Sequence, residues 1–353
     1  MKTGYYEDIR LFKYKSTFFW YLALVILCLL MPLILNDYFV SQLSFICMYS
    51  IASVGLMLLT GYTGQVSMGH AAFFGIGAYA SAILTNHGLP FLVALPCAGL
   101  IAGLVGIVIG LPALRLAGLY LAIATMAFGF IIEEIMVRWE KLTNGNMGMI
   151  VDPPSIGGYW FDTETRFYYL TLVLLILVIL AARNILRSST GRAMIAIRDS
   201  EVAAQAMGIS LAKFKTMAFI ISAFFTGIAG SLYAHKLTFI NPESFTIIVS
   251  IEFLAMIIIG GLGSIHGAVF GTIFVIMLPQ VIVMTKGYLP KYIADQTGLE
   301  AALYGLMIIL FILFEPMGIY GRWLKIKYYF EVFPLYKKDT FRRERKYLKV
   351  ERQ

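Results

Sequence analysis

Apolar runs about as long as a membrane span follow one another along the chain, with short polar segments between them. No Asp, Glu, Lys or Arg occurs between Tyr38 and Leu114. A membrane-spanning helix needs about 20 apolar residues, so that stretch alone has room for about three spans. We therefore expect an all-α integral membrane protein with about ten transmembrane helices, in one domain over residues 17–320. The pattern places the spans near residues 17–35, 40–60, 70–86, 91–111, 117–137, 167–184, 216–236, 246–262, 267–285 and 300–317.

The composition supports a membrane protein and argues against other classes. Hydrophobic residues make up 59% of the chain and charged residues only 14%, whereas soluble domains carry about 25% charged residues. The formal net charge is +8, but the basic residues fall in short segments between apolar runs, so we expect no nucleic-acid partner. Cys28, Cys47 and Cys97 lie singly in apolar runs, which predicts reduced thiols and no metal site.

The distribution of Lys and Arg predicts the orientation, because cytoplasmic segments carry an excess of these residues. With the N-terminus (1–16) inside, 22 of the 28 Lys and Arg residues fall on the cytoplasmic side. They lie mainly in that N-terminus, in a loop at 185–215 and in a basic tail at 321–353. We expect these three segments in the cytoplasm, with the tail drawn to anionic membrane lipid, and a long outer loop at 138–166.

A polar, glycine-rich segment at residues 61–79 separates the second and third predicted spans. Irregular backbone at membrane depth persists only where protein or a watery cavity satisfies it. Two interpretations stay open: a broken helix that lines a translocation pathway, or a tight turn with small residues for close packing. The uncharged hydrogen-bonding residues of the candidate pathway are Thr60, Thr63, Gln65, Ser67, His70 and, from the fifth span, Thr125.

A second glycine-rich segment lies at residues 257–274. Gly263, Gly267 and Gly271 form a GxxxGxxxG stripe, which is typical of closely packed membrane helices.

The acids nearest the membrane form a third group of candidates. Acidic side chains inside spans are functional candidates by default, and Glu133, Glu134 and Glu252 all fall toward the predicted outer surface. They are candidates for an outer gate, or for structural pairing, since Glu134 and Arg138 have the i,i+4 spacing of a helical ion pair.

Several kinds of chemistry are missing from the sequence. It contains no GxxxxGK[ST] and no Gly-Lys dipeptide, so we expect no ATPase site in this chain. It also contains no HExxH and no GxSxG motif. The pattern favours a conduit driven by another subunit or by an ion gradient. A cation-coupled secondary transporter, a membrane scaffold and a lipid-modifying enzyme remain alternatives, although no acid lies near the predicted midplane.

Four segments resemble the M-type permeases of branched-chain amino acid ABC importers. They are GLMLLTGYTGQVSMGHAAFFGIGAYASAIL (55–84), GLYLAIATMAFGFI (118–131), GRAMIAIRDSEVAAQAMGIS (191–210) and IIIGGLGSIHGAVFG (257–271). The resemblance implies a type II-like importer half in a bacterial inner membrane. Its implied partners are a second permease, of the H type, two cytoplasmic subunits that bind ATP and Mg²⁺, and an extracytoplasmic substrate-binding protein. The implied substrate is Leu, Ile or Val, with urea, amides or aromatic acids as alternatives.

The resemblance also implies that residues 191–210 form a coupling helix that docks on the ATPase. Small residues suit close docking, Ser200 or Asp199 suits the start of a helix, and Gly208 suits its end. The alternative is an amphipathic loop that folds back on the membrane. The candidate coupling residues are Gly191, Arg192, Arg198, Asp199, Glu201, Ala203, Ala204 and Gly208.

Overall fold

The computed structural model describes residues 15–113, 116, 118–286, 298–315 and 317–332. Helices dominate these residues because a helix satisfies the backbone groups of an apolar run within the run itself. The helices are α1 (Lys15–Ile34), α2 (Asp37–Leu56), α3 (His70–Asn86), α4 (Phe91–Ala113), α5 (Leu119–Arg138), α6 (Glu164–Arg187), α7 (Ser189–Asp199), α8 (Glu201–Ala206), α9 (Leu211–Leu237), α10 (Ile247–Gly260), α11 (Ile265–Lys286), α12 (Leu299–Phe314) and α13 (Gly318–Val332).

Each of the ten predicted spans coincides with one of these helices. Within the described residues, 7 helices are long and apolar enough to cross a membrane, or up to 8 if the bent pair α12 and α13 is one span. The apolar stretch Phe18–Ile34 of α1 and the 17-residue helix α3 are not among these seven. The structure therefore shows an all-α, multi-pass membrane protein, and the number ten stays a prediction.

The helix α9 lies at the centre of the bundle, packed against α2, α3 and α4. Glycines bring the helix axes together, because a methyl group at Gly230 would lie 1.9 Å from the carbonyl oxygen of Phe74. In the same way, a methyl group at Gly77 would lie 2.2 Å from the carbonyl oxygen of Gly227. Backbone contact of this kind drives helix association where no hydrophobic effect operates.

One end of the bundle, which we call the strand end, carries two pairs of short strands. Met149–Ile150 (β1) pairs antiparallel with Phe239–Ile240 (β4), and Ser155–Ile156 (β2) pairs with Tyr159–Trp160 (β3). The predicted outer loop, residues 138–166, lies at this end. An ion pair between Lys236 and Glu164 joins α9 to α6 there.

The opposite end, which we call the break end, holds the interruptions between α2 and α3 and between α10 and α11, together with α7 and α8. The helix α13 also packs at this end against α10 and α11. There the ring of Tyr320 stacks on His266 with centroids 6.0 Å apart. The predicted tail thus begins as a packed helix. Residues 333–353 of the tail and residues 1–14 of the N-terminus lie outside the described residues.

Candidate functional site

The helix α2 does not end in a regular turn. It passes into a π-helical turn at Met57–Gly61, and the backbone then runs irregularly to the start of α3, with Gly64 in the left-handed region (φ +77). Side chains satisfy backbone groups that the interruption releases. The hydroxyl of Thr60 donates to the carbonyl of Gln65 at 3.0 Å, and that of Thr63 donates to the carbonyl of Leu58 at 3.0 Å.

His70 ties the start of α3 to α2 and α9. Its Nε2 lies 2.8 Å from the hydroxyl of Ser222, and that hydroxyl donates its single hydrogen to the carbonyl of Gly55 at 2.7 Å. The Nε2 atom of His70 therefore carries a hydrogen and donates to Ser222. Its Nδ1 then accepts from Ser67, 3.2 Å away. With both nitrogens engaged, the ring acts as a structural cross-link.

Thr125 joins α5 to the same segment. Its hydroxyl accepts from the backbone N–H of Met68 at 3.0 Å and donates to the carbonyl of Ala122 at 2.9 Å. A methyl group at Gly69 would lie 2.1 Å from the carbonyl oxygen of Thr125. The structure thus brings the six predicted pathway residues into one buried region. Sequence reasoning missed Ser222 and the buried Ser250, which accepts from the N–H of Ala71 at 2.9 Å.

Gln65 differs from the other five residues of this region. Its side chain is 3% exposed, and both of its amide atoms have no hydrogen-bond partner among the described residues. Most buried polar groups in native proteins are hydrogen-bonded, so an unsatisfied amide calls for a specific explanation. In the pathway interpretation of residues 61–79, a translocated polar solute supplies the missing partner.

Replacing Gln65 with Met separates the two interpretations of residues 61–79. If the amide has only a structural place, Met will leave transport unchanged, because removing an unsatisfied polar group is neutral or stabilising. We expect instead that the variant keeps its thermal stability and loses most of its uptake rate. Thr63→Val serves as the control: it leaves the carbonyl of Leu58 without its donor, so we expect a loss of stability of about 1–3 kcal/mol. Full uptake by Gln65→Met would favour the packing turn.

The second interruption touches the first. Gly261 (φ +111) and Gly263 (φ +84) carry the chain between α10 and α11 in the left-handed region. A methyl group at Gly61 would lie 2.8 Å from the backbone nitrogen of Gly263. Only glycines allow this contact between the two interruptions.

The stripe that continues from Gly263 brings α11 against α10. A methyl group at Gly267 would lie 2.6 Å from the carbonyl oxygen of Gly261, and one at Gly271 would lie 1.8 Å from that of Met256. Gly267 and Gly271 thus allow the backbone around α10 to approach α11 closely.

Arg198 reaches this junction from α7. Its Nη1 donates to the carbonyl of Gly61 at 3.2 Å, and its Nη2 pairs with Asp199 at 2.9 Å. A methyl group at Gly263 would lie 3.3 Å from the same Nη1. One guanidinium group thus lies at the meeting point of the loop helices and both interruptions.

The loop forms two helices, α7 and α8, where the sequence predicts one, and α8 begins and ends at the predicted residues. Ser200 begins α8, and its hydroxyl accepts from the N–H of Ala203 at 3.2 Å. Gly208 follows the end of α8 with φ +82. The Nζ of Lys215 lies 2.7 Å from a carboxylate oxygen of Glu201 and is itself buried. Gly191 permits the sharp turn from α6, since a methyl group there would lie 2.4 Å from the Cα of Leu186.

The two faces of α7 and α8 differ sharply. On the inner face, Met194 packs in a cluster with Leu59 and Phe219. Ala204 also faces inward and is 1% exposed, so it belongs to the chain's own packing, whereas Ala203 is exposed. On the outer face, Val202 and Met207 are each 81% exposed. Sequence reasoning missed these two.

The three candidate acids do not come together. Glu134 forms an ion pair with Arg138, as their spacing predicts, on the exposed surface of α5. Glu252 faces a cavity between α2, α10, α11 and α12, which neither Glu133 nor Glu134 lines. Across the described residues, no three or more His, Cys, Asp or Glu side chains gather where they could hold a metal ion.

One family model matches the part of the chain that contains all of these features. The model of the family described as branched-chain amino acid transport system / permease component matches residues 38–312. The chain belongs to this family. The matched residues of this permease run from α2 to α12, so they include both interruptions and the loop helices.

Curated relatives of this permease are similar over most of their length. The high-affinity branched-chain amino acid transport system permease protein LivM of Escherichia coli K12 is 32% identical over 84% of this chain and 73% of its own. A probable LivM of Methanocaldococcus jannaschii is 24% identical over 77% of this chain and 90% of its own. The permease LivH of Salmonella typhimurium is 23% identical over 78% of this chain and 91% of its own. No solved structure matches the chain significantly.

Proposed function

We propose that the chain is a membrane subunit of an ATP-driven ABC importer for branched-chain amino acids, coupled to a separate ATPase through α7 and α8. The observation that carries the proposal is the pair of opposite faces on these helices. The outer face exposes apolar side chains, and the inner face contacts the interrupted membrane helices through Arg198. The family and the names of the relatives support the same function.

The outer face has the character of an interface. An exposed Val or Met side chain forgoes about 1.5–3 kcal/mol that burial would provide. Val202 in α8 and Met207, which directly follows the last residue of α8, are both exposed, and Arg192 and Glu201 are exposed charges of the same loop. A groove on a cytoplasmic ATPase that is apolar at its centre and polar at its rim fits this surface.

The inner face supplies the mechanical link. Because Arg198 contacts the carbonyl of Gly61 and lies against Gly263, a displacement of α7 carries both interruptions with it. The ion pair between buried Lys215 and exposed Glu201 fastens α8 to the start of α9 in the same manner. Coupling between distant sites needs such a chain of packed and hydrogen-bonded groups.

The wider assembly follows from the family. We propose a type II-like fold with ten spans, in which the break end and both termini face the cytoplasm. This orientation follows the Lys and Arg distribution, 22 of 28 on that side. The partners are a second permease, two ATPases that bind ATP and Mg²⁺, and an extracytoplasmic binding protein. The LivM and LivH relatives support the second permease, of the H type.

The substrate rests on the relatives' names. Several are named for branched-chain amino acids, and one more distant relative is named as an autoinducer 2 import permease, LsrC of Enterobacter sp. strain 638. Urea, amides and aromatic acids remain the alternatives within the family. The family match weighs against a cation-coupled secondary transporter.

Uptake into proteoliposomes tests the proposal. We expect the complex of this chain with its partner permease, ATPases and binding protein to import leucine only when ATP is supplied on the ATPase side. Unlabelled isoleucine and valine should compete, while urea and phenylalanine should not. A protonophore should leave the rate unchanged. Uptake that persists without ATP and stops with the protonophore would assign the chain to the secondary transporters.

A further inference from the structure

A cavity of about 400 Å³ opens between α2, α10, α11 and α12. Its lining comes from the parts of these helices that lie far from the interruptions. Gln42 lies in the second turn of α2, Glu252 in the second turn of α10 and Pro279 in the last turns of α11. The cavity therefore lies toward the strand end, where an imported solute would enter. Its volume falls at the small end of ligand pockets, which measure about 300–1,000 Å³.

Among the described residues that line this cavity, Glu252 is the one acid. The described residues offer its carboxylate no hydrogen bond and no ion pair, and the titratable groups that face it are the hydroxyls of Tyr49, Tyr233 and Tyr304. A half-buried carboxylate within a membrane span is costly unless a cation pairs with it. Among the described residues, no cationic side chain lines the cavity beside this carboxylate.

The rest of the lining matches a small zwitterion with an aliphatic side chain. The aromatic side chains of Phe45, Tyr49 and Tyr304 line the same cavity as Glu252, and aromatic faces attract an ammonium group. The apolar wall of the cavity consists of Val275, Ile276, Pro279, Ile282 and Ala301. The amide of Gln42, which also lines the cavity, can donate to a carboxylate.

We propose that this cavity is an entry subsite that receives the primary ammonium group of an amino acid on Glu252 after the binding protein releases it. The inference rests on the proposed function and adds to it the chemical class and the residue that recognises it. An ethanolamine lipid headgroup carries the same ammonium group, so the lipid composition has to be varied in the test.

The test compares variants of the full complex in vesicles of phosphatidylcholine and phosphatidylglycerol. We expect Glu252→Gln to lower the maximal rate of leucine uptake at least about tenfold, because a charge-assisted contact is lost. The half-saturating leucine concentration should stay the same, since the binding protein sets it. Glu252→Asp should restore most of the rate. Glu140→Gln, an exposed acid outside the cavity, should match the wild type.

Further readouts separate the possible outcomes. The yield of the assembled complex and its basal ATPase rate should be equal in the wild type and Glu252→Gln, which excludes a folding defect. Equal uptake by Glu252→Gln and the wild type would overturn the subsite and leave the proposed function standing. Absence of ATP-driven leucine uptake in the wild type would overturn the proposed function itself. A defect seen only when phosphatidylethanolamine is present would assign the cavity to a lipid and contradict the proposal.

Discussion

Aspartate at both Val202 and Met207 will abolish ATP-driven uptake while the permease still inserts and folds. Both side chains are 81% exposed, so charge there costs the isolated chain nothing in packing. In the complex, the two carboxylates would be buried against the apolar centre of the ATPase groove. Truncating an interface hot spot costs about 2 kcal/mol or more, so we expect ATPase binding to weaken at least about thirtyfold. Co-purification of the ATPase and leucine uptake measure the effect.

Conservative and inward-facing variants control this experiment. Val202→Ile with Met207→Leu keeps the apolar surface, so both co-purification and uptake should remain. Ala204→Asp places the charge on the inner face, where the side chain is 1% exposed, and we expect it to reduce the yield of folded permease. Normal uptake by the double aspartate variant would show that α8 does not dock on the ATPase.

Leucine at Gly271 will prevent the permease from folding stably. A methyl group at Gly271 would already lie 1.8 Å from the carbonyl oxygen of Met256, and that oxygen belongs to the backbone of α10. Overpacking against flexible side chains costs about 1–3 kcal/mol. Here the helices α10 and α11 themselves must separate, so we expect a larger loss. The yield of monodisperse permease in detergent and its thermal unfolding midpoint measure it.

Gly305 offers a matched control for this substitution. It too is a glycine within an apolar helix, α12, and a methyl group there would have no described neighbour within 4 Å. Gly305→Leu should therefore leave both the yield and the unfolding midpoint close to those of the wild type. Equal losses for the two variants would mean that leucine itself, and not the contact with α10, is responsible.

Local rules predicted much of what the structure shows. The ten apolar runs each became a helix, because hydropathy and backbone satisfaction act within a single segment. Other local features were predicted in the same way, because they depend on residues only a few positions apart. They are the ion pair of Glu134 and Arg138, the cap at Ser200 and the helix end at Gly208. Glycine and polar content also marked both interruptions.

The contacts that join these elements escaped prediction. Arg198 lies 137 positions from Gly61, and Ser222 lies 152 positions from His70. No periodicity within one segment encodes such pairs, since they depend on how the helices pack. The same limitation hid the two faces of α8: the small residues Ala203 and Ala204 look alike in sequence, yet packing exposes one and buries the other.

The pairing of β1 with β4 constrains the order in which the protein can fold during its synthesis. Met149 pairs with Ile240, and a ribosome that adds 5–20 residues per second needs roughly 5–20 s to make the roughly 90 residues between them. Throughout that interval β1 lacks its partner strand, because α9 has not yet entered the membrane. An unpaired strand edge invites contact with other chains. The strand end is thus completed late, and the nascent chain is most open to misassembly just before α9 arrives.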